Sequence, residues 1–385
     1  MMKKNSKIYV AGHTGMVGSA IVRKLKEEGY NNIIGRTLEE LDLTNQQAVI
    51  DFFETERPEY VFLAAAKVGG ILANNTYRAQ FIYENLMIQN NIIHNSYVFG
   101  VKKLLFMGSS CIYPKNCLQP IKEEYLLTGE LEQTNEPYAI AKIAGIKMCE
   151  SYYRQYGCNF ISVMPTNLYG PNDNYDLKTS HALPAIIRKL HLGRCIESGD
   201  WNGLRKDLQR HPIDGISGTN SETEILKILK KYGVIFYSPG PETLYKGGCR
   251  DGSDVAVTLW GTGKVYREFM HVEDMAAACI FMFEKIDTVD LAACIVELKQ
   301  GENLQINQYS NFINIGTGSD LTIMDVAKII QAITQFSGKI FWDHAKPDGT
   351  KKKQLDITLL QKLGFQSRYT LEEGIRDVYS KYQKK

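Results

Sequence analysis

The chain has 385 residues, 45 Lys and Arg against 43 Asp and Glu for a formal charge of +2, and 44% hydrophobic residues. That near-balance excludes the electrostatic field of a nucleic-acid or anionic-membrane binder, and the length allows two domains, or one elaborated domain, at roughly 100–200 residues each. No apolar run approaches the roughly 18 residues that span a bilayer. The run after Met1-Met2-Lys3-Lys4 is too short for a signal peptide, and the eight cysteines contain no CxxC pair, so reduced thiols, no metal site and a cytoplasmic location are expected.

Short apolar segments at Lys7–Ala11, Asn32–Gly35, Tyr60–Ala64, Lys103–Met107 and Phe160–Val163 read as strands. Between them Met16–Glu28, Gln46–Thr55, Tyr77–Tyr97 and Tyr138–Tyr156 carry helical spacing. This βαβα order, with nearly continuous apolar strands, predicts a Rossmann-type doubly wound α/β fold around a parallel sheet covered on both faces. Beyond Pro165 the pattern loosens into Pro- and Gly-rich segments and short helices, which predicts a smaller second domain. Ser221-Glu222-Thr223-Glu224 is a capping box ahead of apolar positions 225, 228, 229 and 232, so a helix is expected there.

Gly12-His13-Thr14-Gly15-Met16-Val17-Gly18 follows the first strand and opens the first helix. Glycines in that context make a tight turn, let backbone N–H groups approach a pyrophosphate and place it at a helix N-terminus. At the end of the second strand, where a NAD site carries an acid, stands Gly35-Arg36-Thr37. A guanidinium beside a hydroxyl suits the 2′-phosphate of NADP, the alternative being a solvated loop arginine. Asp42-Leu43 is the candidate adenine contact.

Ser109 and Cys111 close the fourth strand, and Tyr138 and Lys142 share one helix face at i,i+4. A phenol titrating near 10 needs help at neutral pH, and an ammonium one turn away favours the phenolate. Ser109 is placed to hydrogen-bond a substrate carbonyl beside Tyr138. Tyr-x-x-x-Lys alone is more often surface decoration, and Cys111 alone more often a small buried apolar group.

Taken together, Gly12–Gly18, Ala64-Ala65-Ala66-Lys67-Val68-Gly69-Gly70-Ile71, Gly108–Pro114, Asn135–Lys142, Pro165–Pro171, Ser180-His181, Arg267–Asp274, Asn314–Gly318 and Lys346–Thr350 resemble the GDP-L-fucose synthases, extended short-chain dehydrogenase/reductases. The resemblance covers nearly the whole chain except about residues 195–255. It implies epimerisation of a GDP-4-keto-6-deoxy sugar at C3 and C5, then reduction at C4 with NADPH. It makes Cys111 the base and His181 the acid, with Tyr138 and Ser109 at the C4 oxygen and Lys142 orienting the cofactor. Cofactor contacts are implied for Gly12, Thr14, Gly15, Met16, Val17, Gly18, Ala65, Pro165, Asn167, Leu168 and His181. Substrate contacts are implied for Asn167, Lys189, Trp260, Arg267 and Asp348, and a homodimer through the two long helices is implied as well.

The expected organisation is a NADP-binding Rossmann domain at 1–165, with returning segments near 262–285 and 311–320. A substrate-binding domain at 166–261 and 286–385 carries the 195–255 insert. Thr14, Leu38 and Lys189 stand where bacterial relatives carry arginines, which weakens the case for strict NADP preference and removes a bidentate phosphate contact. The insert leaves a second reading open, C4 reduction of a related GDP-4-keto-6-deoxy heptose without epimerisation. A sugar 4,6-dehydratase is disfavoured because Ser109-Ser110-Cys111 replaces its acid pair. A non-catalytic cofactor sensor is disfavoured because Tyr138 and Lys142 are both present.

Overall fold

The computed structural model describes residues 2–236, 255–298, 311–346 and 348–384. In chain order the first half runs β1 (Ile8–Ala11), α1 (Met16–Glu27), β2 (Ile33–Ile34), α2 (Gln46–Glu56), β3 (Tyr60–Leu63), α3 (Ile71–Thr76), α4 (Arg78–Val98), β4 (Lys103–Met107), α5 (Glu136–Tyr156), β5 (Phe160–Pro165) and β6 (Asn167–Tyr169). There follow α6 (Ala182–Glu197), α7 (Trp201–Arg210), α8 (Glu222–Lys231), β7 (Val234–Phe236), β8 (Val255–Trp260), β9 (Tyr266–His271), α9 (Val272–Lys285) and α10 (Thr288–Leu298). The chain closes with β10 (Phe312–Ile315), β11 (Asp320–Thr322), α11 (Ile323–Thr334), β12 (Lys339–Asp343), α12 (Thr358–Lys362) and α13 (Leu371–Lys384). Among the described residues no helix is long and apolar enough to cross a membrane.

Two compact units result. The first is Met1–Asn172 with Glu268–Asp320 and Lys353–Leu371; the second is Asp173–Arg267 with Leu321–Lys352 and Glu372–Lys385. The boundaries differ from the expected ones. The break after 165 moves to Asn172, since β6 pairs in parallel with Phe269–His271 of β9. Residues 286–298, in which 288–298 form α10, and 353–371, all expected in the second domain, belong to the first unit, and 262–267 stay with the second.

In the first unit a six-stranded parallel sheet has the order β10-β5-β4-β3-β1-β2. The period of two along each strand sorts its side chains onto opposite faces. Ile8, Val10, Phe62, Leu105, Met107, Ile161 and Val163 join one core with residues of α1 and α9. Tyr9, Ala11, Val61, Leu63, Leu104, Phe106 and Phe160 join the other with residues of α2, α4 and α5. Each buried large side chain contributes roughly 1.5–3 kcal/mol. The order reverses at β1 and β3, so the carboxyl ends of β1, β3 and β4 border the crevice where such sheets take ligands.

In the second unit β8 pairs in parallel with β12 and antiparallel with β7. The capping box at Ser221 and Glu224 forms as expected and starts α8, which buries Ile225, Ile228 and Leu229. Helix α7, capped by Asp200 whose side chain accepts from Gly203 N, buries Leu204, Leu208 and a carboxylate, Asp207. Arg188 of α6 donates to Asp207 through Nε at 3.0 Å and Nη2 at 2.9 Å, and both side chains are fully buried. Tyr382 donates to the same carboxylate, and Arg188 also donates to Tyr175 O at 3.0 Å and to His211 O. The described part of the insert is therefore built into its unit by a buried polar cluster and by the β7–β8 pairing.

Candidate active site

The glycine turn leaves β1 with Gly12 at φ +82°. A Cβ on Gly12 would lie 2.7 Å from Ala65 N, and one on Gly18 would lie 2.1 Å from Gly12 O. The turn thus packs flush on Ala65 and on itself, the close backbone approach that a pyrophosphate needs. Gly15 is the N-cap residue of α1, whose first turn carries no acidic residue, so the positive end of the helix dipole is not offset by its own side chains. These residues fit a dinucleotide. Met16 and Val17 turn their side chains to the core, leaving backbone for the ligand, and Thr14 is exposed.

The residues expected around the adenosine are arranged less simply. Arg36 does not stand open: its Nη2 donates to Glu56 Oε1 at 2.6 Å and its Nη1 to Gly35 O at 2.8 Å, with the guanidinium 5.7 Å from the Phe52 ring centre. Asp42 accepts from Thr44 N at 2.9 Å and Thr44 Oγ1 at 2.8 Å. Leu43 is a core side chain whose carbonyl accepts from Asn91 Nδ2 at 2.8 Å. Leu38 is exposed.

At the end of β4, Ser109 caps a 3₁₀ turn, Ser110–Ile112, its Oγ accepting from Cys111 N at 3.3 Å. Helix α5 brings Lys142 beneath this turn. Its Nζ donates to Met107 O at 2.7 Å and lies 4.8 Å from the Phe106 ring centre and 5.8 Å from that of Tyr138. Lys142 is 2% exposed, and burial pulls its ammonium down to about 8, the Cys111 sulfur opposing. The Tyr138 phenol is held above its ordinary value, first by desolvation and then by Cys111, while the Ser109 hydroxyl lowers it. Desolvation rather than the ammonium thus dominates Tyr138, contrary to the expectation from i,i+4 spacing. Burial also raises the Cys111 thiol; Lys353, the Ser109 hydroxyl and Lys142 pull it back. Ser109, Cys111, Tyr138 and Lys142 form one coupled cluster in the first unit. Asn167 donates through Nδ2 to Glu268 O at 2.8 Å, Pro165 is buried at the end of β5, and Leu168 packs on the core.

The remaining expected residues belong to the second unit. His181 is exposed at the N-cap position of α6, which its side chain does not cap. Lys189, 7% exposed, donates to Thr258 O at 3.0 Å, and burial lowers it to about 8 against Asp343. Its charge is directed at a backbone carbonyl rather than presented on a solvated face. Trp260 ends β8 with 55% of its surface exposed and the Lys346 ammonium 5.3 Å from its ring centre. Arg267 donates to Tyr266 O at 2.7 Å and to Thr350 O at 2.6 Å. Asp348 accepts from Thr262 N and Oγ1, each at 2.7 Å, and these bonds hold its carboxyl low. Trp260, Arg267 and Asp348 are therefore drawn together by the 260–262 and 348–350 backbone.

Two groups escaped sequence reasoning. Glu268 is fully buried and accepts from Thr317 N at 2.6 Å, Gly318 N at 2.8 Å and Leu355 N at 2.8 Å. Its signal was the period of two in β9, which puts Glu268 on the buried face with Met270. Lys353 acts on Cys111 across a large sequence separation and had no local signal.

The sequence profile of the NAD dependent epimerase/dehydratase family matches residues 8–206 and 242–293. The chain is 44% identical to the GDP-L-fucose synthase of Escherichia coli (strain K12), over 97% of this chain and 95% of that one. It is 43% identical to GDP-L-fucose synthase 1 of Arabidopsis thaliana, over 100% and 95%. Among solved structures, a GDP-D-glycero-L-gluco-heptose synthase from Campylobacter jejuni, in the presence of NADPH, superposes with a TM-score of 0.85 at 40% identity over the whole of both chains.

Proposed function

The chain belongs to the GDP-L-fucose synthases within the NAD dependent epimerase/dehydratase family, and from that premise we propose that it makes GDP-L-fucose or a close relative. The reaction is reduction with NADPH at C4 of a GDP-4-keto-6-deoxy hexose after epimerisation at C3 and C5. The observation that carries the reading is the cluster of Ser109, Cys111, Tyr138 and Lys142 at the carboxyl end of β4.

The C4 ketone acidifies the hydrogens on both neighbouring carbons, so one base and one acid invert each centre through an enolate. Cys111 takes the proton as thiolate and His181 returns one, while Ser109 and Tyr138 hydrogen-bond the oxygen that carries the developing charge. The glycine turn, with Arg36, Asp42, Leu43, Ala65, Pro165, Asn167 and Leu168 around it, would hold NADPH, which when bound would supply hydride for C4. Tyr138 then gives its proton to the C4 oxygen. Lys142 holds the turn and helix together through Met107 O and orients the cofactor's ribose. Lys189, Trp260, Arg267 and Asp348 of the second unit, with Asn167 of the first, receive the GDP-sugar, so the first unit serves chiefly as the cofactor domain and the second as the substrate domain. The enzyme works as a cytoplasmic homodimer on a free GDP-sugar, with neither nucleic acid nor membrane as a partner. Exposed Tyr97 on α4 and Tyr156 on α5, stacked with ring centres 4.3 Å apart, support pairing through those helices.

The likeness to the Campylobacter jejuni heptose synthase favours, as a second reading, C4 reduction of a GDP-4-keto-6-deoxy heptose without epimerisation. NADPH oxidation with a panel of GDP-4-keto-6-deoxy hexoses and heptoses, followed by NMR of each product, tests both. Turnover of the hexose to GDP-L-fucose supports the first; turnover of the heptose alone supports the second; no turnover with any overturns both.

A further inference from the structure

In the second unit the chain reaches His181, at the N-cap of α6, through a closed polar turn. Asp176 Oδ1 accepts from Lys178 N, Thr179 N and Thr179 Oγ1, each at 2.9 Å, and Asp176 O accepts from Ser180 N at 2.9 Å, one residue before His181. Asn174 ties the turn across, its Oδ1 accepting from Asp176 N and its Nδ2 donating to Thr179 Oγ1, each at 2.9 Å. On the other side of His181 the helix is anchored by buried Leu183, Pro184, Ile186 and Ile187. The backbone at His181 is therefore set by α6 on one side and by this turn on the other.

Two carboxylates of the insert hold the turn. Asp207 pairs with Arg188, whose Nη1 donates to Tyr175 O at 3.0 Å. Asp214 pairs with Lys178 and accepts as well from Lys231 Nζ at 2.6 Å and Tyr232 OH at 3.1 Å. Asp214 and Gly215, at φ +49° and +82°, form the centre of a two-residue turn closed by Ile213 N on Ile216 O and Ile216 N on Ile213 O, both at 2.9 Å. Asp-Gly suits that left-handed backbone, and Ile213 is buried, so the loop that carries the carboxylate is itself anchored. The Lys178 and Lys231 side chains are more than half exposed, and pairs of that kind add little to stability. What the Asp214 contacts supply is the place of the turn.

We propose that Asp214 is a positioning residue for the epimerase step, clasping the 174–180 turn through Lys178 and so fixing His181 for the return of a proton; this rests on the reading of His181 as the acid. In the step the Cys111 thiolate takes a proton from carbon and the negative charge moves to the ketone oxygen. The His181 imidazolium then gives a proton to the same carbon from the opposite face and is left as neutral imidazole. With His181 displaced, the enolate takes its proton back from the Cys111 thiol. In D2O that thiol has exchanged with solvent, so the carbon gains deuterium while its configuration is kept. Displacing the acid thus uncouples exchange from inversion, which a general loss of activity does not.

The test is reaction of the full chain with excess GDP-4-keto-6-deoxy-mannose and NADPH in D2O, scored by NMR as GDP-L-fucose formed per deuterium found at C3 and C5 of the recovered substrate. Asp214→Asn removes the charge while keeping a residue that tolerates the left-handed backbone. In it and in Lys178→Gln the ratio should fall roughly 10- to 100-fold, the order of loss that a displacement of about 1 Å brings, and Lys178→Arg should keep the wild-type value. The urea midpoint should hold in all three, and the ratio should hold in Glu372→Gln, which breaks an exposed pair on α13 of the same unit. An unchanged ratio in Asp214→Asn overturns the proposal, and so does an equal fall in Glu372→Gln. His181→Gln separates this proposal from the reading beneath it. If His181→Gln forms GDP-L-fucose as freely as wild type, or if the wild type forms none, His181 is not the acid and both fall. If His181→Gln loses inversion while Asp214→Asn keeps it, the reading of His181 stands and the proposal alone falls.

Discussion

The Lys142 ammonium donates to Met107 O at 2.7 Å, so the helix that carries Tyr138 is pinned to the strand end that carries Ser109 and Cys111. The bond joins two chain segments that local sequence leaves independent. It also buries a charge, and that cost is measurable. Lys142 is lowered from 10.5 to about 8, so the folded state loses its proton more readily than the unfolded chain. The penalty is complete below the folded value and vanishes above the unfolded one.

Lys142→Met should therefore be more stable than wild type below pH 8 by roughly 1–3 kcal/mol, with the difference closing as pH rises from about 8 to 10.5. Urea unfolding at several pH values reads this directly. NADPH turnover should fall by orders of magnitude in the same variant. A variant that is less stable at pH 7 and gains nothing relative to wild type as the pH falls from about 10.5 to 8 contradicts the assignment.

Gly18→Ala places a Cβ 2.1 Å from Gly12 O, where backbone on both sides leaves little room to give. The turn must open, and the affinity for NADPH should fall by about tenfold or more, roughly 1.4 kcal/mol per decade. Fluorescence titration with NADPH measures it; unchanged affinity would show that the turn does not hold the pyrophosphate.

Asp207→Ala removes one partner of a fully buried ion pair and leaves Arg188 uncompensated. The expected loss is about 3–5 kcal/mol, read as a lower urea midpoint. Simultaneous replacement of Arg188 by Met should recover much of it. A small loss in the single variant would show that water reaches the pair.

Trp260 is 55% exposed at the end of β8, so Trp260→Ala should change stability by only about 0.5 kcal/mol or less. If its ring stacks on the nucleotide-sugar, KM for the substrate rises while KM for NADPH holds. Equal changes in both constants contradict a substrate contact.

The parallel sheet was legible because strand-length apolar runs alternate with helical spacing. Gly12, Gly15 and Gly18 were legible because a turn of this shape admits few other residues. Helix α7 was not, since its burial depends on Asp207 meeting Arg188 and Tyr382, a long-range pairing invisible in Trp201–Arg210 alone. The Arg36 contact with Glu56 and the action of Lys353 on Cys111 were hidden for the same reason. For Tyr138 and Lys142 the spacing showed proximity but not depth, and burial reversed the direction of the phenol's shift.

The central claim is that one cluster around Cys111, Ser109, Tyr138 and Lys142 serves both proton exchange and reduction. The direct test is reaction of GDP-4-keto-6-deoxy-mannose with NADPH in D2O, with NMR of the product. The predicted product is GDP-L-fucose carrying deuterium at C3 and C5 and protium at C4, with Cys111→Ser sharply slowing the deuterium entry. A C4-reduced product without deuterium at C3 and C5 would contradict the account.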